Sequence, residues 1–173
     1  MKSYVKNYLF NLTYQILLIV LPLVTAPYLA RIFGADRIGE YSFAQSIVAY
    51  FVLFSALGTS IYGQRCIARC KAENKPVKTV FEEIVLLRLC SVGLFLLIYL
   101  ALVFSLAPNR WLYILAGIEI ICVAFDISWF YQGIERFEKI TWCNGLSKIA
   151  GAIAVFAFIH TKDDLELYVL LFT

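Results

Sequence analysis

Charge is scarce in this chain. Asp, Glu, Lys and Arg make up 16% of its residues, where a soluble domain carries about a quarter. Histidine is scarcer still. His160 is the only one, so a His-based triad has little to stand on. No G-x-x-x-x-G-K or G-x-G-x-x-G run is present, and a nucleotide-binding loop of those types is therefore not expected. The five cysteines, Cys66, Cys70, Cys90, Cys122 and Cys143, lack the paired spacing of a disulfide framework. Cys66 and Cys70 are four apart and share a helix face, but a metal needs more ligands and His160 is remote in sequence. Ordinary small side chains are the simpler reading. No metal, no cofactor and no enzymatic activity are expected. Basic residues alternate with acidic ones, which removes nucleic acid from the candidate partners.

Apolar sequence is what the chain has in abundance. Hydrophobic residues account for 62% of it, and mean hydropathy is +0.80. Runs of about 18 or more apolar residues recur, which defines a polytopic membrane protein. The predicted fold class is an all-α membrane helix bundle. It forms a single transmembrane region over 1–173 with no separate soluble domain. Spans are predicted at roughly 8–33, 38–62, 84–107, 111–131 and 144–160, with a partial sixth from 165. Lys2 and Lys6 precede the first run as they would in a signal peptide. The run is long, however, and no small-x-small site follows it, so it reads as an uncleaved span. Asn11-Leu12-Thr13 matches a glycosylation sequon but falls at or in the membrane.

The stretch 27–46 organises the start of the chain. Apolar sequence flanks a polar middle with two glycines, Gly34 and Gly39, and the charges Arg31, Asp36, Arg37 and Glu40. A turn there has backbone groups that lipid cannot satisfy, so a hairpin tip at a membrane surface is predicted. Pro22 and Pro27 each remove a helical donor and tend to kink the first span. Such a bend serves either as a flexible element or as a static kink. Asn11, Thr13 and Gln15 add polar groups to that span. In the second span, Gln45 and Ser46 are candidates for lining a polar cavity, while its small residues permit close helix approach.

Orientation follows from the lysine and arginine bias. Ten of these residues lie on the side of the N-terminus and the two longer connections: Lys2, Lys6, Arg65, Arg69, Lys71, Lys75, Lys78, Arg136, Lys139 and Lys148. Four lie on the other side: Arg31, Arg37, Arg110 and Lys162. The N-terminus is accordingly predicted to be cytoplasmic, and the 27–46 tip faces outward. Pro108-Asn109-Arg110 is a predicted outer turn.

Ionisable groups inside spans are functional-site hypotheses by default. Glu119 and Asp126 are seven apart in span four, within about 20° of one another on a helix face. They predict one acidic stripe. Arg88, about one turn inside span three, comes to a similar depth as Asp126 at about 1.5 Å per residue. The two are predicted to pair or to share a polar pocket. The rival reading for each is a helix-to-helix tie with no transport role. Arg31 and Glu40 either snorkel to the surface or, for Arg31, attract an anionic lipid-linked substrate, since guanidinium suits phosphate oxygens.

Several runs carry a family resemblance. They are Pro27-Tyr28-Leu29-Ala30-Arg31-Ile32-Phe33-Gly34, then Gly39-x-Tyr41-x-Phe43-Ala44-x-Ser46, then Gly58 and the 63–68 segment with Arg65, Ile67 and Ala68. The last is Asp126-Ile127-Ser128-Trp129-Phe130-Tyr131-Gln132-Gly133-Ile134-Glu135-x-Phe137. In this order and spacing the chain resembles the N-terminal part of the polysaccharide transporter family. These are the Wzx-type O-antigen and capsule flippases, in the superfamily that includes MATE exporters. The resemblance implies a two-lobe transporter fold in the bacterial inner membrane, moving an undecaprenyl-diphosphate-linked oligosaccharide outward. Lipid-linked oligosaccharide, the bilayer and polysaccharide polymerase machinery are the implied partners. Family members have more spans than this chain, so a fragment or truncated product is expected. The lipid II flippase branch carries arginines deeper in span one, whereas here Arg31 stands only at its end. Two rivals share the sequence features: a MATE-like exporter of cationic drugs, and a small non-transporting membrane scaffold.

Overall fold

The computed structural model describes the backbone of residues 2–106 and 109–172, and the side chains of 15–16, 19–105, 109–136, 140–162 and 164–171. Apart from a short 3-10 turn at Lys162–Asp164, its regular elements are α-helices. They are α1 (Lys2–Ala56), α2 (Thr59–Ala72), α3 (Val77–Leu106), α4 (Arg110–Ala116), α5 (Ile118–Phe125), α6 (Ser128–Gly133), α7 (Phe137–Phe158) and α8 (Leu165–Phe172). The described residues contain no strand, as expected for an all-α bundle. Pro108 of the predicted outer turn, and the side chains of Lys2, Lys6, Asn11 and Thr13, lie outside the described residues.

Among the described residues, four helical stretches are long and apolar enough to cross a membrane: Ile19–Ala72, Val77–Ser105, Arg110–Gly133 and Ile140–Phe158. The first is 54 residues, more than twice the about 20 that one crossing needs. The long helices expose apolar side chains, while α2 carries Arg65, Arg69 and Lys71. Leu23, Leu97, Phe125 and Leu146 are each about 70% exposed, which suits lipid and not water. The chain is a multi-pass membrane protein.

Inside α1 the backbone leaves helical geometry at Gly34, with φ +74° and ψ 173°. That region excludes most L residues, so glycine is the residue that can stand there. The predicted polar turn is thus one residue wide, and Gly39 lies within helix again. Pro22 and Pro27 sit inside the helix. Thr25, between them, donates its hydroxyl to the Leu21 carbonyl at 3.0 Å.

The chain divides into two compact units. One comprises the chain up to Gly39 with Glu138–Phe172. There Tyr28 donates to the Ile159 carbonyl at 2.8 Å, its ring lies 4.8 Å from that of Phe156, and Leu29, Phe33, Val155 and Val169 are buried. The 3-10 turn caps itself. Asp164 accepts from the backbone of His160 and Thr161 at 3.0 and 2.8 Å. These bonds hold its carboxyl below the ordinary carboxylate range.

The other unit is Glu40–Phe137. Its core is Ile67 of α2, Ile84 of α3 and Trp129 of α6, with Phe81, Val85 and Phe130 packed around them. Close approach of α2 and α6 depends on two glycines. A Cβ at Gly63 would sit 2.5 Å from Trp129 Cε3, and one at Gly133 would sit 2.8 Å from Ile67 Cβ. Above this layer Phe51 meets Tyr99 edge-on at 5.2 Å, and Ser91 donates to the Ser55 carbonyl at 2.8 Å. Asn109 donates to Glu40 at 3.0 Å, joining the ends of two helices. The end of α2 is tied to the connection after α6, where Lys71 Nζ donates to Glu135 at 3.0 Å and to the Ile134 carbonyl at 3.1 Å.

Candidate functional site

The predicted fourth span is not one helix. It is α4, α5 and α6 in succession, with Gly117 between the first two and Asp126-Ile127 between the last two. At the second junction Asp126 turns extended, with φ −68° and ψ 107°. The local cause is the Asp126 side chain. Its Oδ1 accepts the Ser128 N–H at 2.9 Å, the two-residue reach by which aspartate offers the backbone an alternative to helix. Phe130 N–H then bonds the Ile127 carbonyl at 3.0 Å. The Asp126 carbonyl, which a continuous helix would have used, is released.

Arg88 of α3 takes up that carbonyl. Its Nη1 donates to Asp126 O at 2.9 Å, and its Nη2 approaches Asp126 Oδ2 at 3.3 Å. The Arg88 side chain is 3% exposed and that of Asp126 is 42% exposed. Buried cation and half-open anion therefore form one unit. Arg88 Nε is buried with no hydrogen-bond partner among the described residues. At Gly117 the backbone stays right-handed, and its N–H bonds the Tyr113 carbonyl at 2.9 Å. Tyr99, also on α3, donates to the Tyr113 carbonyl at 2.6 Å, and a Cβ at Gly117 would lie 2.6 Å from Tyr99 Cε1.

The remaining candidates fall into different places. Glu119 accepts from Gln45 Nε2, joining α5 to α1. The two acids of the predicted stripe have different partners: Glu119 bonds Gln45 of α1, and Asp126, whose N–H still closes the last turn of α5 on the Cys122 carbonyl at 3.1 Å, meets Arg88 of α3. Ser46 is exposed, and its hydroxyl donates to the Ser42 carbonyl at 2.7 Å. Gln15 and Arg31 are exposed and belong to the other unit. Arg31 has no ion pair or hydrogen bond among the described residues. No group of three or more potential metal ligands occurs among the described residues. The helix interruption at Asp126-Ile127, and the capture of a main-chain carbonyl by Arg88, escaped the sequence reading. The Asp-x-Ser spacing was the available signal.

Apolar helices long enough to cross a membrane, one of them interrupted and braced by a buried arginine, define a multi-pass membrane protein. The chain matches the family described as polysaccharide biosynthesis protein over residues 4–173, and it belongs to that family. The resemblance to Wzx-type polysaccharide transporters, in their N-terminal part, agrees with this match. The chain is 25% identical over 155 residues to a putative O-antigen transporter of Escherichia coli strain K12, covering 86% of this chain and 36% of that protein. It is 23% identical over 149 residues to a putative O-antigen transporter of Shigella dysenteriae, covering 83% and 37%. The chain thus spans just over a third of the length of these curated relatives. No solved structure matches it.

Proposed function

We propose that this chain is part of a flippase that carries a lipid-linked oligosaccharide, on undecaprenyl diphosphate, across the bacterial inner membrane for cell-surface polysaccharide synthesis. The observation that carries this reading is the family match along 4–173, together with two relatives named as O-antigen transporters. The protein is a transporter and not an enzyme. Its N-terminus is cytoplasmic, and it hands its product to polysaccharide polymerase machinery. The lysine-rich connections that define the cytoplasmic side converge at Lys71 and Glu135, which supports that orientation. Arg31 is the residue for attracting the diphosphate. Within the Glu40–Phe137 unit, Arg88, Glu119 and Asp126 belong to the ion or substrate path, with Gln45 and Ser46 as polar groups beside it; Gln15, in the other unit, is a separate candidate for a polar cavity.

Asp126 faces a buried arginine, which repels a cation, and this favours the reading over a cation exporter. The test is complementation in a strain that lacks its O-antigen transporter and supplies the matching glycan. Expressing the gene for this protein should restore surface glycan and expose the lipid-linked intermediate at the outer leaflet. Normal membrane levels with the intermediate still confined to the inner leaflet would overturn the proposal. Arg31→Ala, at normal expression, is expected to reduce export.

A further inference from the structure

A groove of about 280 Å³ runs between α2 and α3, lined among others by Tyr62, Cys66, Arg69, Cys70, Glu83 and Leu87. Its size is near the lower end for ligand pockets, about 300 Å³. That suits a headgroup and is small for an oligosaccharide. One end lies close to the polar turn after Ala72. From Arg69 inward to Thr59, the floor of the groove extends about 15 Å along α2. The deep end is apolar, and Tyr62 and Leu87 are 64% and 53% exposed.

The charges in the groove are opposite and unjoined. Arg69 and Glu83 line the same space, both exposed, and they form no ion pair with one another. Nearby charges do pair: Lys71 with Glu135, Lys75 with Glu73 and Lys78 with Glu82. In an α-helix the Cα–Cβ bond tilts toward the N-terminus. Arg69, near the end of α2, therefore leans away from the 73–76 turn, while Glu83, early in α3, leans toward it. The two heads tend to a common level beside an apolar slot.

We propose that this groove is a binding site for a zwitterionic phospholipid with a free ammonium, of the phosphatidylethanolamine type. Arg69 takes the phosphate, which guanidinium donors match in geometry. Glu83 takes the ammonium through N–H donors. The acyl chains leave past Tyr62 and Leu87 into the bilayer. A choline headgroup carries the same charges but no N–H donor, and a glycerol headgroup carries no cation, so the site discriminates against both. The inference is independent of the exported substrate.

The test uses the whole protein, purified and exchanged into equimolar phosphatidylethanolamine, phosphatidylcholine and phosphatidylglycerol, with retained lipids counted by native mass spectrometry. At least a threefold excess of retained phosphatidylethanolamine over either competitor is expected. Glu83→Gln should abolish that excess and shift retention toward phosphatidylglycerol, because Arg69 remains. Arg69→Ala should abolish it without that shift. A site-specific readout is thiol labelling in a protein with Cys90, Cys122 and Cys143 changed to alanine. Phosphatidylethanolamine should slow maleimide reaction at Cys66 and Cys70 at least threefold relative to phosphatidylcholine. Equal retention of the three lipids by the unmodified protein, or an excess unaffected by both substitutions, would overturn the proposal. Labelling rates indifferent to the lipid would also overturn it.

Discussion

Two stretches of similar length and composition solve the same membrane problem differently. Val77–Leu106 is one unbroken helix, although it carries Arg88 in its interior. Arg110–Gly133 is broken at Asp126-Ile127, while at Gly117 the backbone keeps right-handed geometry, φ −64° and ψ −16°. Breaks at membrane depth release backbone groups that lipid cannot satisfy. Here Arg88 of the unbroken helix covers the released Asp126 carbonyl, and Tyr99 of the same helix adds a second bond to the Tyr113 carbonyl, which Gly117 N–H already uses. The continuous helix is a splint for the discontinuous one. A polar residue inside a membrane helix is therefore explained by what its neighbour lacks, as much as by any substrate.

The comparison breaks most severely at Asp126. Asp126→Ala leaves the Arg88 cation buried with only a carbonyl, and about 3 kcal/mol of stability should be lost, at the lower end for a broken buried pair because Asp126 is part-exposed. Thermal unfolding in detergent measures this. Adding Arg88→Met to Asp126→Ala should recover part of the loss, since the unpaired charge is then gone. A double variant weaker than the single one would separate Arg88 from Asp126.

Next in size is the packing that holds the short α6 in place. Gly63→Ala drives a methyl into the Trp129 ring and Gly133→Ala drives one into Ile67. Each should cost about 1–3 kcal/mol, and near-ultraviolet circular dichroism of Trp129 should change with the first. Tyr99→Phe is milder. The Tyr113 carbonyl still accepts Gly117 N–H at 2.9 Å, so about 1 kcal/mol is expected from the same unfolding assay.

The smallest effect sharpens the contrast between lipid and water. Asp164 performs the same kind of capping at the exposed turn before α8, where water can replace it. Its folded-state pKa is lowered by the backbone donors. Its contribution is therefore present above the unfolded carboxyl pKa of about 4 and is lost as pH falls through the folded value. Protection of the His160 and Thr161 amides, measured against their intrinsic exchange rates, should fall at acid pH in the native protein and be lower at neutral pH in Asp164→Asn.

Much of this arrangement is written in the sequence. Apolar run lengths specify an all-α membrane protein, and counting depth along two helices brings Arg88 level with Asp126. The break beside Asp126 is harder to see, because neither Ile127 nor Ser128 is a helix breaker. Only the side-chain bond to Ser128 makes the alternative backbone favourable. Gln45 and Glu119 are each visible as polar residues within spans, yet their bond depends on the relative rotation of two helices far apart in the chain. Periodicity does not encode that. The Gly63–Trp129 and Gly133–Ile67 approaches are of the same kind: small residues announce close packing without naming the partner.

The splint is tested most directly by hydrogen–deuterium exchange across residues 126–131 in Arg88→Met. Faster exchange confined to that segment, with α3 and α5 protected as before, is the predicted result. Unchanged exchange there in a folded variant would contradict the account, because the interruption would then hold without Arg88.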